Sequence, residues 1–186
     1  MVNAEYVVVG VAAALLVVAA VFDGYSRIIP NRLNLAIAIL ALPYWWCTAL
    51  PLWPDVVLQI GVAAITFAVL LGVFHIGQMG GGDVKLLIAL ALFMPPMDFL
   101  WMTFGMAMIG GILTSGMLIY HRLLTPDERF ENPYGIAIAA SALLVFGGHY
   151  RLIDVEPIFA IVFDIALVSC VVTLAVLVGL RRRASR

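Results

Sequence analysis

Charge is what this chain has least of. Of 186 residues, 11% are Asp, Glu, Lys or Arg, whereas 65% are hydrophobic and the mean hydropathy is +1.12. Soluble proteins carry about 25% charged residues and roughly 45–50% apolar ones. So little charge excludes a soluble domain and predicts an integral membrane protein with little mass outside the bilayer. Ligand-forming residues are also scarce. There are two cysteines, Cys47 and Cys170, and three histidines. No compact set of four Cys/His ligands exists, so no zinc site is expected, and both thiols are expected to be free and buried in apolar runs. The N-terminus lacks the basic region of a cleaved signal, because Asn3 and Glu5 precede the first apolar run. Internal repeats, low-complexity tracts and linkers are lacking too, which predicts one domain over residues 1–186.

What is present is a series of apolar runs near Tyr6–Phe22, Leu33–Leu52, Val56–Ile76, Val84–Met94, Phe99–Tyr120, Tyr134–Gly148 and Pro157–Leu180. Each is read as a helix, because only helices and closed barrels satisfy the backbone inside lipid. The expected fold is therefore an all-α polytopic bundle of six to seven spans. The fourth run is short and ends at Pro95-Pro96, which leaves no N–H groups to continue a helix. With seven spans, Arg27, Arg32, Lys85, Arg122, Arg129, Arg181, Arg182, Arg183 and Arg186 fall on one side and Arg151 alone on the other, nine against one among the ten basic residues. The positive-inside tendency puts the nine in the cytoplasm and the N-terminus outside. Tyr44, Trp45, Trp46 and Trp53 are then expected in the outer aromatic belt. The longest polar stretch, His121–Asn132, is expected as a cytoplasmic loop.

Ionisable groups in or beside spans cost about 2.5–3.5 kcal/mol at a helix centre, which makes them functional candidates. Asp23, at the end of the first span, and Asp83, at the start of the fourth, share the cytoplasmic boundary in this topology. Two carboxylates that approach each other cannot both ionise easily. They share a proton, activate water and protonate a leaving amine. Gly80, Gly81 and Gly82 precede Asp83, and glycine offers both positive φ and close backbone approach. Their backbone entropy predicts a loosely held Asp83. A flexible loop with an acid at a helix N-terminus explains the same pattern. Asp164, deep in the last span, is expected to hydrogen-bond Ser or Thr of another helix. His75 is expected to be packed or interfacial.

Three elements resemble the type IV prepilin peptidases, the GxGD family of membrane aspartyl proteases. Asp23 with Arg27 and Ile29-Pro30-Asn31 is similar to the family's first aspartate motif. Gly80-Gly81-Gly82-Asp83-Val84-Lys85-Leu86 is similar to its second, and Pro133-Tyr134-Gly135 to a third, a Pro-aromatic-Gly turn opening a later span. The resemblance implies a bacterial cytoplasmic-membrane endopeptidase with Asp23 and Asp83 as the catalytic pair. Its substrate would be a prepilin or pseudopilin with a hydrophobic N-terminal helix beside the lipid bilayer. It implies no metal, no organic cofactor and no nucleic-acid partner. Longer family members carry two CxxC pairs associated with N-methylation of the mature pilin. This chain has none, and so resembles the compact peptidases of Flp-type (tight-adherence) pili.

Among the supporting residues, Arg27 is expected either to pair with Asp23 across a helical turn or to anchor the cytoplasmic boundary. Asn31, after Pro30, is expected to cap the second span or to contact substrate. Lys85 points to a different helix face from Asp83 and suits a headgroup or topology role. Two other functions fit buried acids. A presenilin-type intramembrane protease shares only the second aspartate motif and would have a tyrosine where Phe22 stands. A small proton- or cation-coupled transporter would use mid-bilayer acids and an inverted repeat.

Overall fold

A computed structural model describes residues 4–124 and 134–184, and they form seven helices. In chain order these are α1 (Ala4–Ser26), α2 (Asn31–Cys47), α3 (Val57–His75), α4 (Gly81–Phe93), α5 (Pro96–Leu124), α6 (Tyr134–His149) and α7 (Glu156–Ala184), with a single wide turn at Leu52–Val56 leading into α3. All seven expected apolar runs are helical, and the protein is an all-α membrane bundle. Four of the helical stretches are long and apolar enough to cross a bilayer: Ala4–Ser26, Leu52–His75, Pro96–Tyr120 and Glu156–Leu174.

The remaining helices are short for a physical reason. α4 and α6 lie inside the bundle, and most of α4, from Asp83 to Phe93, is buried. A short helix tolerates the mismatch with bilayer thickness when neighbours cover its ends. α4 packs against α2 and α3, and α6 against α1 and α5, with α4 touching α6 across the centre. Leu16, Ile37, Leu86, Leu90, Phe93, Met102 and Ile138 form the core between them. α7 lies outside this group and packs on α5.

Contacts at the helix ends fix the alternation of the chain. At one end, Asp23 of α1 meets Ile136 of α6, and Asn34 of α2 meets Gly82 of α4. At the other, Asp98 of α5 pairs with His149 of α6 at 2.6 Å, and Tyr6 of α1 packs on Tyr150. We call these the aspartate end and the far end.

Several expectations change. The second helix stops at Cys47 instead of reaching Leu52. The Thr48 hydroxyl bonds the Tyr44 carbonyl at 2.7 Å, Ala49 turns left-handed at φ 50°, and Pro51 prevents resumption. α5 runs on to Leu124, into the stretch expected as a loop. The aromatic cluster splits. Trp46 and Trp53 are exposed, as an interfacial belt requires, but Tyr44 is buried and stacked on Phe93. Trp45 turns inward as well, and its indole N–H donates to Gln59 Oε1 and the Leu92 carbonyl. Both cysteines are free, but neither is fully buried, Cys47 being half-buried and Cys170 exposed on α7. Asp164 is exposed on α7 and makes no hydrogen bond within the described residues, so the expected Ser/Thr partner is not there. α7 turns its half-buried positions, Val162, Ala166, Ser169 and Thr173, inward, which leaves Asp164 on the opposite side. His75 is exposed at the end of α3, an interfacial position.

Candidate active site

Asp23 lies in the last turn of α1 with 4% of its surface exposed, and Asp83 in the first turn of α4 with 8%. Sixty positions apart in the chain, the two acids come to the same end of the bundle, where Ile29, in the link that follows α1, packs on Gly82, next to Asp83. Each is held by a different device.

Asp23 is anchored on the start of α6. Its Oδ2 accepts the Ile136 N–H at 3.1 Å, and the carboxyl group lies directly against Gly135. First-turn N–H groups have no partner inside their own helix, so a carboxylate from α1 satisfies donors that α6 cannot. This contact explains the Tyr134-Gly135 element. A Cβ on residue 135 would sit 2.8 Å from Asp23 Cγ and 2.9 Å from its Oδ2, closer than side chains approach. Only glycine lets the carboxyl group lie on this backbone. Pro133, the other member of that element, lies outside the described residues, as do Arg129, Asn132 and Arg186.

Asp83 caps its own helix. Gly80 is the N-cap residue, with extended backbone at φ −70° and ψ 144°, and Asp83 is three residues on. Its carboxylate folds back over Gly80, where a Cβ would lie 3.1 Å from Oδ2, which is the place of the acid in a capping box. The bland reading of an acid at a helix start is thus structurally true of Asp83, whatever else it does.

The triple glycine serves close approach and not positive φ. Gly77 is the described glycine with positive φ, at 73°, whereas Gly81 and Gly82 are helical. A Cβ on Gly82 would lie 3.2 Å from Ile29 Cβ and 3.4 Å from the Ile29 backbone N and O. One on Gly81 would lie 3.3 Å from the Phe74 ring, and one on Gly80 would lie 3.1 Å from Asp83 Oδ2. The link between α1 and α2 therefore passes directly over the start of α4. The turn that carries Asp83 is in contact with the α1–α2 link through Ile29 and with α2 through Asn34, whose amide bonds the Gly82 carbonyl.

The supporting residues sort themselves out. Arg27 does not continue α1. It takes φ 55°, its N–H bonds the Asp23 carbonyl at 3.0 Å, and the helix closes in a left-handed cap. The helical register needed for a turn-to-turn pair with Asp23 is gone, although the Arg27 charge still acts on Asp23. Pro30, not Asn31, occupies the N-cap of α2 and makes no side-chain cap bond. Asn31 instead accepts a hydrogen bond from Lys85 Nζ at 2.7 Å, so Lys85 ties α4 to α2 rather than standing alone at the boundary. Asn34 is the residue the sequence reading passed over. It is 4% exposed, and its Nδ2 donates to the Gly82 carbonyl at 2.9 Å. Its signal was a carboxamide one turn into an apolar run, which a search for ionisable groups alone does not register. Among the described residues no group of three or more His, Cys, Asp or Glu side chains is arranged to hold a metal ion.

The sequence pattern of the type IV leader peptidase family matches residues 10–115, more than half of the chain. The chain belongs to the type IV leader peptidase family. No curated protein and no solved structure matches it. The matched stretch of this leader peptidase contains both aspartates, Gly80–Gly82, Asn34 and Lys85, and stops before Tyr134 and Gly135. The contact of Gly135 with Asp23 therefore comes from the structure and lies outside the family match.

Proposed function

We propose that this leader peptidase is a membrane aspartyl endopeptidase that removes the leader of Flp-type prepilins at the cytoplasmic face of the bacterial inner membrane, with Asp23 and Asp83 as its catalytic pair. The observation that carries the reading is the convergence of two buried aspartates, from α1 and α4, at one end of an apolar bundle. In this reading the pair holds one proton. The ionised carboxylate takes a proton from a water molecule as its oxygen attacks the scissile carbonyl carbon. The protonated carboxyl donates to the carbonyl oxygen. The tetrahedral intermediate then collapses, the C–N bond breaks, and the amine leaves with a proton returned through the pair. No metal or organic cofactor takes part. The nine basic residues counted above would lie in the cytoplasm, which puts the aspartate end there as well.

Arg27, Pro30, Asn31, Lys85, Gly80–Gly82, Tyr134 and Gly135 support the pair in this reading, by shaping the two turns that carry it. The test is cleavage of a candidate Flp-type prepilin by purified protein in detergent. Wild type should release the leader. Asp23→Asn and Asp83→Asn should each abolish release while the protein remains inserted and folded. An Asp83→Asn enzyme that processed prepilin at near wild-type rate would sink the assignment.

A further inference from the structure

Two side-chain donors of α2 reach backbone carbonyls of α4, one at each end of the helix pair. At the far end the Trp45 indole N–H donates to the Leu92 carbonyl at 3.1 Å and also to Gln59. At the aspartate end Asn34 Nδ2 donates to the Gly82 carbonyl at 2.9 Å. The two acceptors differ in what they need. Leu92 lies in the last turn of α4, where carbonyls have no partner of their own helix, and Trp45 supplies one. Gly82 lies in the first turn, where carbonyls are paired inside the helix, so α4 does not need Asn34.

The fold as a whole does not need it either. Asn34 is 4% exposed, and a carbonyl can only accept, so the amide must turn Nδ2 toward Gly82. Its Oδ1 is then buried with no hydrogen-bond partner among the described residues, which weakens the fold. The other buried positions of α2 are Ile37, Ala41 and Tyr44. An apolar residue at position 34 would continue that inward stripe and orphan no oxygen. Packing therefore does not account for an amide here, whereas its place does. The Gly82 carbonyl belongs to the peptide unit whose nitrogen is that of Asp83, so the bond sets the orientation of this unit from α2. Asn34 is buried, whereas the Lys85–Asn31 bond between the same two helices is exposed and correspondingly weaker.

We propose that Asn34 is a positioning residue of this peptidase: by holding the Gly82–Asp83 peptide unit against α2, its amide sets where the Asp83 carboxyl group lies. This rests on the reading of Asp23 and Asp83 as the catalytic pair. Asn34 acts through Asp83 and not on the substrate.

The test compares wild type, Asn34→Leu, Asn34→Ala and, as control, Trp45→Phe, each purified in detergent. Cleavage of a prepilin peptide, thermal unfolding and hydrogen exchange are measured on all four. Both Asn34 variants should lower kcat about a hundredfold, as a misplacement near 1 Å does, with KM within about twofold of wild type. Exchange should speed up over residues 81–85 and stay unchanged over α6. Asn34→Leu, which keeps the branched shape, should melt at or above the wild-type temperature, because it removes the orphaned oxygen. Trp45→Phe should do the opposite, melting lower with kcat nearly unchanged. A merely structural Asn34 would instead lower melting temperature and kcat together and speed exchange in α6 as well. That pattern, or near wild-type kcat in either Asn34 variant, overturns the proposal. If leucine is too bulky to fold there, Asn34→Ala, which adds no atoms, decides: kcat lost with exchange faster over residues 81–85 alone upholds the proposal, and any other result overturns it. The failures are separable. If wild type does not cleave, or Asp83→Asn cleaves as fast as wild type, the catalytic reading fails. If both behave as expected and the Asn34 variants cleave normally, the positioning role alone is wrong.

Discussion

At the scale of single residues, the glycines around the two aspartates differ in what a methyl group would meet. At Gly135 the obstacle is Asp23 itself, at 2.8 Å. Gly135→Ala must displace the carboxyl group or the start of α6. It should cost about 1–3 kcal/mol of stability and lower cleavage by about a hundredfold, as a misplacement near 1 Å does. At Gly82 the obstacle is Ile29 Cβ at 3.2 Å, an atom fixed to the backbone that must give by a few tenths of an ångström. At Gly81 it is the far end of the Phe74 side chain, which can swing away. Cleavage assays should therefore rank the alanine variants with Gly135 severe, Gly82 intermediate and Gly81 mild. A Gly81→Ala enzyme slower than Gly82→Ala would show that the Ile29 contact does not position Asp83. Asp164 gives the opposite expectation. It is exposed and faces away from α5, so Asp164→Asn should insert, fold and cleave within about twofold of wild type, as surface substitutions do.

At the scale of helices, the two ends of the bundle are held by different chemistry, and they should respond separately. At the far end Trp45 joins α2 to Gln59 of α3 and to the Leu92 carbonyl of α4. Trp45→Phe removes the donor and leaves Gln59, which is buried, without its partner. Thermal unfolding in detergent should show a loss of about 1–2 kcal/mol, the usual size for a hydrogen bond between membrane helices. Cleavage should be nearly unchanged, since the link lies at the end remote from Asp23 and Asp83. A variant of normal stability would mean that the Trp45–Gln59 bond contributes nothing. The short α4 depends on such neighbours. With 13 residues it spans about 20 Å at 1.5 Å per residue, less than a hydrocarbon core of about 30 Å, and it survives because α2, α3 and α6 cover it.

At the scale of the molecule, the nine-to-one sorting of basic residues predicts orientation. A reporter fused after Arg183 should read cytoplasmic, and one inserted between His149 and Glu156 should read external. Both reporters on one side would remove the seven-span topology, and with it the cytoplasmic placement of the aspartate end. The family match over residues 10–115 covers α1 to α4 and most of α5. The contact of Asp23 with Gly135 and Ile136 shows that α6 is nevertheless part of the site's frame.

The sequence by itself determined the membrane class, the seven helices and the two acids at helix ends. Each of these follows from local chemistry. An apolar run must become a helix in lipid, proline must stop one, and an ionisable residue at a span boundary stands out in its own stretch of chain. It also determined that glycine was needed around Asp83, though not why, because positive φ and close approach leave the same mark on a sequence. Only the tertiary structure decided between them, by laying Ile29 across Gly82. The tertiary structure alone assigned Asn31 to Lys85 instead of a cap, turned Trp45 inward, and ended α1 at Arg27. It also brought Asn34 to Gly82 and Gly135 to Asp23. The hydrogen bonds of Asn34, Asn31 and Asp23 among these join residues 48 to 113 positions apart in the chain. No local pattern encodes such pairs. They depend on which helix packs beside which, and that is set by how the bundle's small and large side chains fit together.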